Sequence, residues 1–281
     1  GGMLCARVGI FNVGLEGLVL IGAFSAILGN YLTGNVLFAV GFAVLISMVM
    51  SLLFAVMTIY FKADEIVVGI AINFLALGLT TFLLRTIFDV KGAYYDKEMK
   101  GLPKWDIPFI DRIPYIGDIF SGHTPLVYIA VLAPFLLYVF FYRTVTGFRL
   151  LSVGYNATAA NSLGIRVRSL QFLALGLSGV LCGLAGAQLS LGQVTMFSEG
   201  MTSGRGFIAL VATMLGQSHP LGVLGSSLLF GLTDAISTRL QGFSIPTQFT
   251  SMIPYLLTLV MMLLLRGRGI ETNHSSQQSS R

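Results

Sequence analysis

The sequence predicts an all-α polytopic membrane protein with about 8 visible transmembrane segments, some of them broken or re-entrant. Three observations predict it. Hydrophobic residues make up 55% of the 281 residues and charged residues 10%, with a mean hydropathy of +0.83. A soluble domain carries about 25% charged residues, so a tenth cannot cover a globule of this length and the solvent for most of the chain is lipid. The apolar residues are gathered into runs near the roughly 20 residues that a helix needs to cross about 30 Å of hydrocarbon. Finally, the chain holds 33 glycines, many of them within those runs; small residues let membrane helices approach closely and permit breaks where a pathway is lined.

The elements follow in order. Val8 to Tyr31 is a first span, interrupted in its first half by Asn12, Gly14, Glu16 and Gly17. Asn35 to Phe61 is a second and Ile66 to Leu84 a third, followed by a polar, aromatic loop over residues 85–124. Pro125 to Tyr142 spans again, before a basic loop over 143–169 and a Gly/Ala-rich span from Leu170 to Leu191. Gln193 to Gly206 is polar and Gly-rich. Phe207 to Leu215 is apolar, but nine residues reach only about 13 Å as helix, which predicts half of a broken helix or a re-entrant segment. Leu221 to Thr238 and Phe249 to Leu265 complete the set. Residues 1–268 form one transmembrane domain, and the polar tail 269–281 is expected to be disordered. No cleavable signal peptide is legible, and the start at Gly1-Gly2-Met3, so close to an apolar run, predicts a further segment upstream.

Lysine and arginine in short loops set orientation. Arg143, Arg149, Arg166 and Arg168, with no acidic residue among them, place the 143–169 loop in the cytoplasm, and Arg266 and Arg268 place the C-terminus on the same side. The 85–124 loop then lies outside, its six basic residues balanced by Asp89, Asp96, Glu98, Asp106, Asp111 and Asp118. The scheme closes only if Phe207–Leu215 and the Leu221 span both count as crossings. The net charge of +5 lies beside apolar spans, which points to lipid headgroups and not to nucleic acid.

Some residues do not belong in lipid. Glu16 lies in an apolar run, where an acidic side chain at the bilayer centre costs on the order of 3 kcal/mol. It must face a cavity, a partner or a free helix end whose amides hold a carboxylate; capping a broken helix and lining a pathway both fit, and one position can serve both. Asn12 and Asn73 suit interhelical hydrogen bonding or contact with a solute. The cluster Ser198-Glu199-Gly200-Met201-Thr202-Ser203-Gly204-Arg205-Gly206 reads either as backbone bending at a discontinuous helix or as an external loop, with Glu199 and Arg205 neutralising each other. Asp234 and Arg239 read as interfacial charges. The Gly-broken segments around Glu16 and Glu199 hint at an internal repeat. Candidate pathway residues are therefore Asn12, Glu16, Asn73, Glu199 and Arg205.

The catalytic inventory is thin. His123, His219 and His274 are scattered, Cys5 and Cys182 suit packing, and Ser178 and Ser190 have no His or Asp company. There is no HExxH, CxxC or Walker loop. Neither catalysis nor a metal or cofactor is expected. In the cytoplasmic loop, Asn156 is a good N-cap, Ala157 to Leu163 favours helix, and Gly164 is a good stop. Such a capped, small-residue helix either docks on another protein or merely connects two spans.

The pattern Val153-Gly154-x-Asn156-x-x-Ala159-Ala160-x-x-x-Gly164-Ile165 is similar to the cytoplasmic coupling loop of ABC importer permeases, in the branch that includes simple-sugar, nucleoside and branched-chain amino acid permeases. Gly9-Ile10-Phe11-Asn12-Val13-Gly14-Leu15-Glu16-Gly17 resembles that branch's N-terminal signature. Further matching blocks are Ser178-Gly179 through Ala187, Gly204 through Leu210, Gly231 through Ala235 and Pro254 through Leu259, so the resemblance runs from Gly9 to about Arg266. It is nearest the nucleoside/simple-sugar subgroup. The resemblance implies a type II ABC importer-like fold in a bacterial cytoplasmic (inner) membrane. It further implies ABC ATPase subunits gripping Asn156, Ala157, Ala159, Ala160, Gly164 and Ile165, a second permease chain, identical or homologous, and an extracytoplasmic solute-binding lipoprotein. ATP hydrolysis would belong to the partner. The implied solute is a purine nucleoside such as guanosine, with a ribose-like sugar or riboflavin as alternatives. Two features depart from the pattern: family chains have another hydrophobic segment upstream, and Ala6 stands before Arg7 where members often carry an acidic residue. The competing class is an ion-coupled secondary transporter using Glu16 or Glu199 as its proton or sodium site.

Overall fold

Helices form wherever the apolar runs are long, and polar side chains cap some of their first turns. The computed structural model describes residues 1–96, 99–105 and 122–240. In chain order these hold α1 (Gly2–Ala6), α2 (Leu15–Thr33), α3 (Val36–Ala55, prolonged by a π-helical turn to Tyr60), α4 (Glu65–Phe88), β1 (Ala93–Tyr95) and α5 (Pro125–Arg143). Then come α6 (Val145–Tyr155), α7 (Ala157–Ser162), α8 (Val167–Ala187, continued as π-helix to Val194), β2 (Met196–Ser198), α9 (Arg205–Leu215) and α10 (Pro220–Leu240). Among the described residues, six helices (α2, α3, α4, α5, α8 and α10) are long and apolar enough to cross a membrane, and α9 is a shorter apolar piece. The expected Phe249–Leu265 span, Arg266 and Arg268 with the C-terminal sidedness drawn from them, and the tail 269–281 lie outside the described residues.

Side chains cap α3, α4 and α6 at their first turns. Asp64 accepts from the amides of Ile66 and Val67 at 3.0 Å each, Asn35 from Leu37 at 2.9 Å and Thr144 from Gly147 at 3.1 Å. Expected boundaries shift in places: the Leu170–Leu191 span runs from Val167 to Val194, and the Phe207–Leu215 piece begins at Arg205. The first span begins at Leu15 and not Val8, because Gly9 takes a positive φ of 77° and the chain runs irregularly through residues 10–14. The third persists beyond Leu84 to Phe88 and ends where Asp89 turns left-handed at φ 52°. The basic loop contains an unanticipated helix, α6, which buries Gly147, Leu150 and Val153 at three-residue intervals.

Of the six spans α2 is the most enclosed, with α3, α4 and α8 around it. Small residues on α8 set that packing. A Cβ on Gly183 would come within 2.7 Å of Val44 Cα on α3, one on Gly179 within 2.7 Å of Ser51 Cβ, and one on Gly186 would collide with the backbone of Ala23 on α2. Lipid supplies no hydrophobic drive between helices, so contact rests on close backbone approach and on interhelical hydrogen bonds. Ser47 donates to the carbonyl of Leu18 at 2.7 Å, and Ser51 to that of Leu175 at 2.6 Å, stitching α3 to α2 and α8.

The bundle has two distinct ends, separated by α8 and its extension from Val167 to Val194, about 42 Å at 1.5 Å per residue. At one end β1 pairs antiparallel with β2, Ala93 opposite Ser198, and ties the 85–124 loop to the Gly-rich segment before α9. Asn30 donates to the Lys100 carbonyl at 2.8 Å and the Leu102 amide to the Leu191 carbonyl at 3.0 Å, while Phe24 meets Phe88 and Phe197 edge-on. At the other end lie Arg7, α6, α7 and the α9–α10 turn, where Arg7 Nε donates to the Ser218 carbonyl at 2.6 Å.

The Gly183 contact yields a direct test. Gly183→Val is expected to destabilise the detergent-solubilised protein by about 1–3 kcal/mol through overpacking, read as a lower thermal midpoint. Gly41→Val, at a glycine with nothing within 4 Å of its added Cβ, is the control expected to leave the midpoint unchanged.

Candidate functional site

A helix that starts inside a membrane must find partners for its first amides. Helix α9 is 11 residues long, about 16 Å, roughly half of a hydrocarbon thickness of about 30 Å. Its N-cap Gly204 sits at φ 84° and offers no side chain. The missing acceptor comes from across the bundle: Glu16, in the first turn of α2. Its Oε1 accepts from the Gly204 amide at 2.8 Å and from the Thr202 hydroxyl at 2.5 Å, and Oε2 accepts from the Gly206 amide at 2.7 Å. Gly206 permits this approach, since a Cβ there would collide with the backbone of Glu16. The carboxylate thus stands at the positive ends of two helices, its own and α9. Hydrogen bonds to a charged group contribute roughly 1.5–3 kcal/mol each, so three of them offset an insertion cost on the order of 3 kcal/mol.

The first turn of α2 is held in turn by α4. Asn73 Oδ1 accepts from the Gly17 amide at 2.8 Å, and Nδ2 donates to the Val13 carbonyl at 3.1 Å. Asn12, 3% exposed, folds the preceding loop by accepting from the Gly14 amide at 2.9 Å, with its Nδ2 at 3.7 Å from Cys5 Sγ. Beside Glu16 and Asn73 lies a cavity of about 350 Å³, bounded also by Phe74, Thr202, Ser203 and Phe207.

Two of the five sequence-derived pathway residues, Glu16 and Asn73, therefore meet at one cavity, while Asn12 is buried in the loop before α2. Glu199 and Arg205 do not neutralise each other. Glu199 lies at the β-paired end, 3.2 Å from Arg85, and also holds the Gly92 amide at 3.4 Å. Arg205 turns to the other side of α9 and reaches Asp234 on α10 at 3.5 Å. The hinted repeat relation between Glu16 and Glu199 has no counterpart in their surroundings: one caps a helix inside the bundle, the other pairs at its end. In the sequence Thr202 and Arg7 stand out only as part of a polar cluster and of a family pattern; their contacts are not foreseeable there, because a lone hydroxyl in a Gly-rich stretch and a lone arginine carry no periodic signal.

At the opposite end from the β-pair, α7 begins at Ala157 as its composition predicts and ends at Ser162, with Leu163 as its C-cap. Asn156 Oδ1 accepts from the Ala159 amide at 3.0 Å, and Gly164 takes φ 78°. Only Ala160 of this helix is buried, at 2%, packed into the cluster that holds Leu150 and Val153, while neighbouring Tyr155 and Leu163 are 86% and 80% exposed. Behind it, Gly154 of α6 lies directly against the Arg7 carbonyl, with no room for a Cβ. Among the described residues no group of three or more His, Cys, Asp or Glu could hold a metal ion.

Comparison with known proteins places this architecture. The family model described as branched-chain amino acid transport system / permease component matches residues 1–263. A nucleoside ABC transporter permease protein of Lactococcus lactis subsp. cremoris is 37% identical over 281 aligned residues, covering 96% of this chain and 88% of the relative. A guanosine ABC transporter permease protein of Bacillus subtilis is 36% identical, covering 96% and 87%. A putative glucose ABC transporter permease protein of Haloferax volcanii is 30% identical, covering 87% and 74%. No solved structure matches the chain significantly.

The Glu16 cap predicts a stability effect. Glu16→Gln leaves one neutral acceptor oxygen where two charged ones receive three donors, and is expected to cost about 1–3 kcal/mol. Thr202→Val, which removes one donor, is expected to cost less. Thermal unfolding in detergent measures both; a Glu16→Gln protein melting at the wild-type midpoint would show that α9 is held by something else.

Proposed function

The chain belongs to the family of permease components of branched-chain amino acid transport systems, and we propose that it is the membrane subunit of an ABC importer that takes up nucleosides, guanosine among them. What carries the reading is the 36–37% identity, over nearly the full chain, to permeases named for nucleoside and guanosine transport. As a multi-pass permease it is a transport subunit, and ATP hydrolysis falls to separate ATPase chains. A second permease chain, the same or homologous, completes the pathway in the bacterial cytoplasmic membrane. A solute-binding lipoprotein delivers at the β-paired end, with the α7 end and the C-terminus in the cytoplasm.

The mechanism follows from contacts between the two ends. ATPase subunits seat on α7 through Asn156, Ala157, Ala159, Ala160, Gly164 and Ile165. Ala160 transmits their movement to the cluster around Val153, and Gly154 of the same helix bears on Arg7. Arg7 holds the α9–α10 turn through Ser218, and nine residues further along the chain Glu16 holds the other end of α9. A push on α7 thereby reaches both ends of the half-helix beside the cavity, where Glu16, Asn73 and the aromatic rings of Phe74 and Phe207 face the solute. The polar groups of Glu16 and Asn73 are already engaged by the protein, which suits a site that binds loosely and releases. The same engagement disfavours ion-coupled transport, since neither Glu16 nor the Arg85-paired Glu199 offers a carboxylate free of protein partners. The sugar alternative draws on the 30% identical glucose permease relative.

Membrane vesicles holding the complete transporter test this. Tritiated guanosine uptake is expected to need ATP, to survive ionophores and to be competed by other nucleosides more than by ribose. Uptake without the ATPase that collapses with the ion gradient would sink the reading, and competition by ribose alone would move it to sugars. Gly164→Pro, which cannot take the observed positive φ, is expected to leave ATP hydrolysis running while uptake falls by roughly 5–150-fold, the range of a typical coupling free energy.

A further inference from the structure

The Arg205–Asp234 pair lies where an exposed charge has no business facing lipid. Arg205 opens α9 and lies about 15 Å from its far end, and Asp234 lies about 21 Å along α10 from Pro220. The two helices are joined by the short 216–219 turn; with that turn at one face of a hydrocarbon layer of about 30 Å, Arg205 lies near its middle and Asp234, expected from sequence at the interface, lies inside it on the far half. Their side chains are nevertheless 48% and 51% exposed. Ionisable groups at such depth face a bundle interior or a water-filled cavity.

Helix α10 shows which. At about 100° per residue, Ser226, Phe230, Thr233 and Ser237 form its buried face, while Leu228, Leu232 and Ile236 form an exposed apolar face. Between them Ser227, Gly231, Asp234 and Thr238 fall within about 60° of one another, all exposed, with open space around Gly231. This stripe is polar or small along three turns, and Arg205 stands beside its centre. On its other side Arg205 borders a cavity of about 280 Å³ with Gln188 and Gln193. A lipid-facing helix has no use for such a stripe flanked so sharply by leucines.

We propose that Ser227, Gly231, Asp234 and Thr238, with Arg205, form a water-facing wall of the solute pathway. The proposal rests on the transporter reading above and adds a face of the molecule to it. Because the two charges compensate each other, the wall presents hydrogen-bonding groups without net charge, which suits an uncharged, hydroxyl-bearing solute and hinders a small ion.

The test uses membrane vesicles carrying the complete transporter, with Cys5 and Cys182, both buried, replaced by alanine. Single cysteines are placed at Ser227, Gly231 and Thr238 on the stripe, and at Leu228 and Leu232 on the apolar face. A charged, membrane-impermeant methanethiosulfonate reacts with thiolate, which forms only in contact with water. The stripe positions are expected to react at least roughly tenfold faster than the leucine positions, since thiols held in apolar surroundings are inert, and reaction at Gly231→Cys is expected to block guanosine uptake. Equal, slow reaction on both faces overturns the proposal. So does spontaneous cross-linking of the stripe to a second permease chain in place of reaction with the reagent, which would make it a subunit seam. Labelling rates do not depend on the solute, so a reactive stripe in a wild-type assembly that ignores guanosine would remove the nucleoside reading and leave the wall standing.

Discussion

A carboxylate in hydrocarbon has to be surrounded by donors, and the position of Glu16 organises much of this protein around that requirement. Three donors from the segment before and into α9 converge on it. The half-helix can therefore begin inside the bundle without leaving its first amides bare. The dependence is mutual. Without α9 the charge would lie open to lipid, and without the charge the amides of Gly204 and Gly206 would lose their acceptor.

Other features serve to bring those two groups together. Gly206 removes the side chain that would hold the backbones apart. Asn12 folds the loop that turns the chain into α2, and Asn73 holds that helix's first turn from α4. The glycines of α8 draw α2 and α3 into direct backbone contact, so the frame supporting Glu16 is built on close approach and not on bulky interdigitation. The same loop, through Arg7, touches α6 and the α9–α10 turn. Local changes at the exposed α7 therefore have a short covalent and packed route to the interior.

Charges elsewhere are sorted by depth. Glu199 and Arg85 meet at the end of the bundle, where water is near and a pair costs little. Arg205 and Asp234 meet between α9 and α10, within the length of an apolar helix and with both side chains half-exposed, a position where ionisable groups face water or protein and not lipid. Two glutamates in similar Gly-rich contexts thus have different surroundings and different chemistry.

The amino-acid sequence by itself determined the lipid-facing character, the six spans found among the described residues and the capped helix at Asn156, since these depend on local composition and on side-chain-to-backbone bonds within a few residues. It also marked Glu16 as a group needing donors, with a free helix end among the possible sources. Which donors answer it was decided by tertiary structure alone: Thr202 and Gly206 lie 186 and 190 residues away along the chain, and no periodicity encodes such a distance. The partners of Glu199 and Arg205 were settled the same way, because neighbours in sequence look able to pair until the backbone turns one outward and starts a helix with the other. The strand pairing of Ala93 with Ser198 was likewise invisible, three residues being too few for a pattern. Local physics is legible in the order of residues; the meeting of distant groups depends on where packed helices bring their ends.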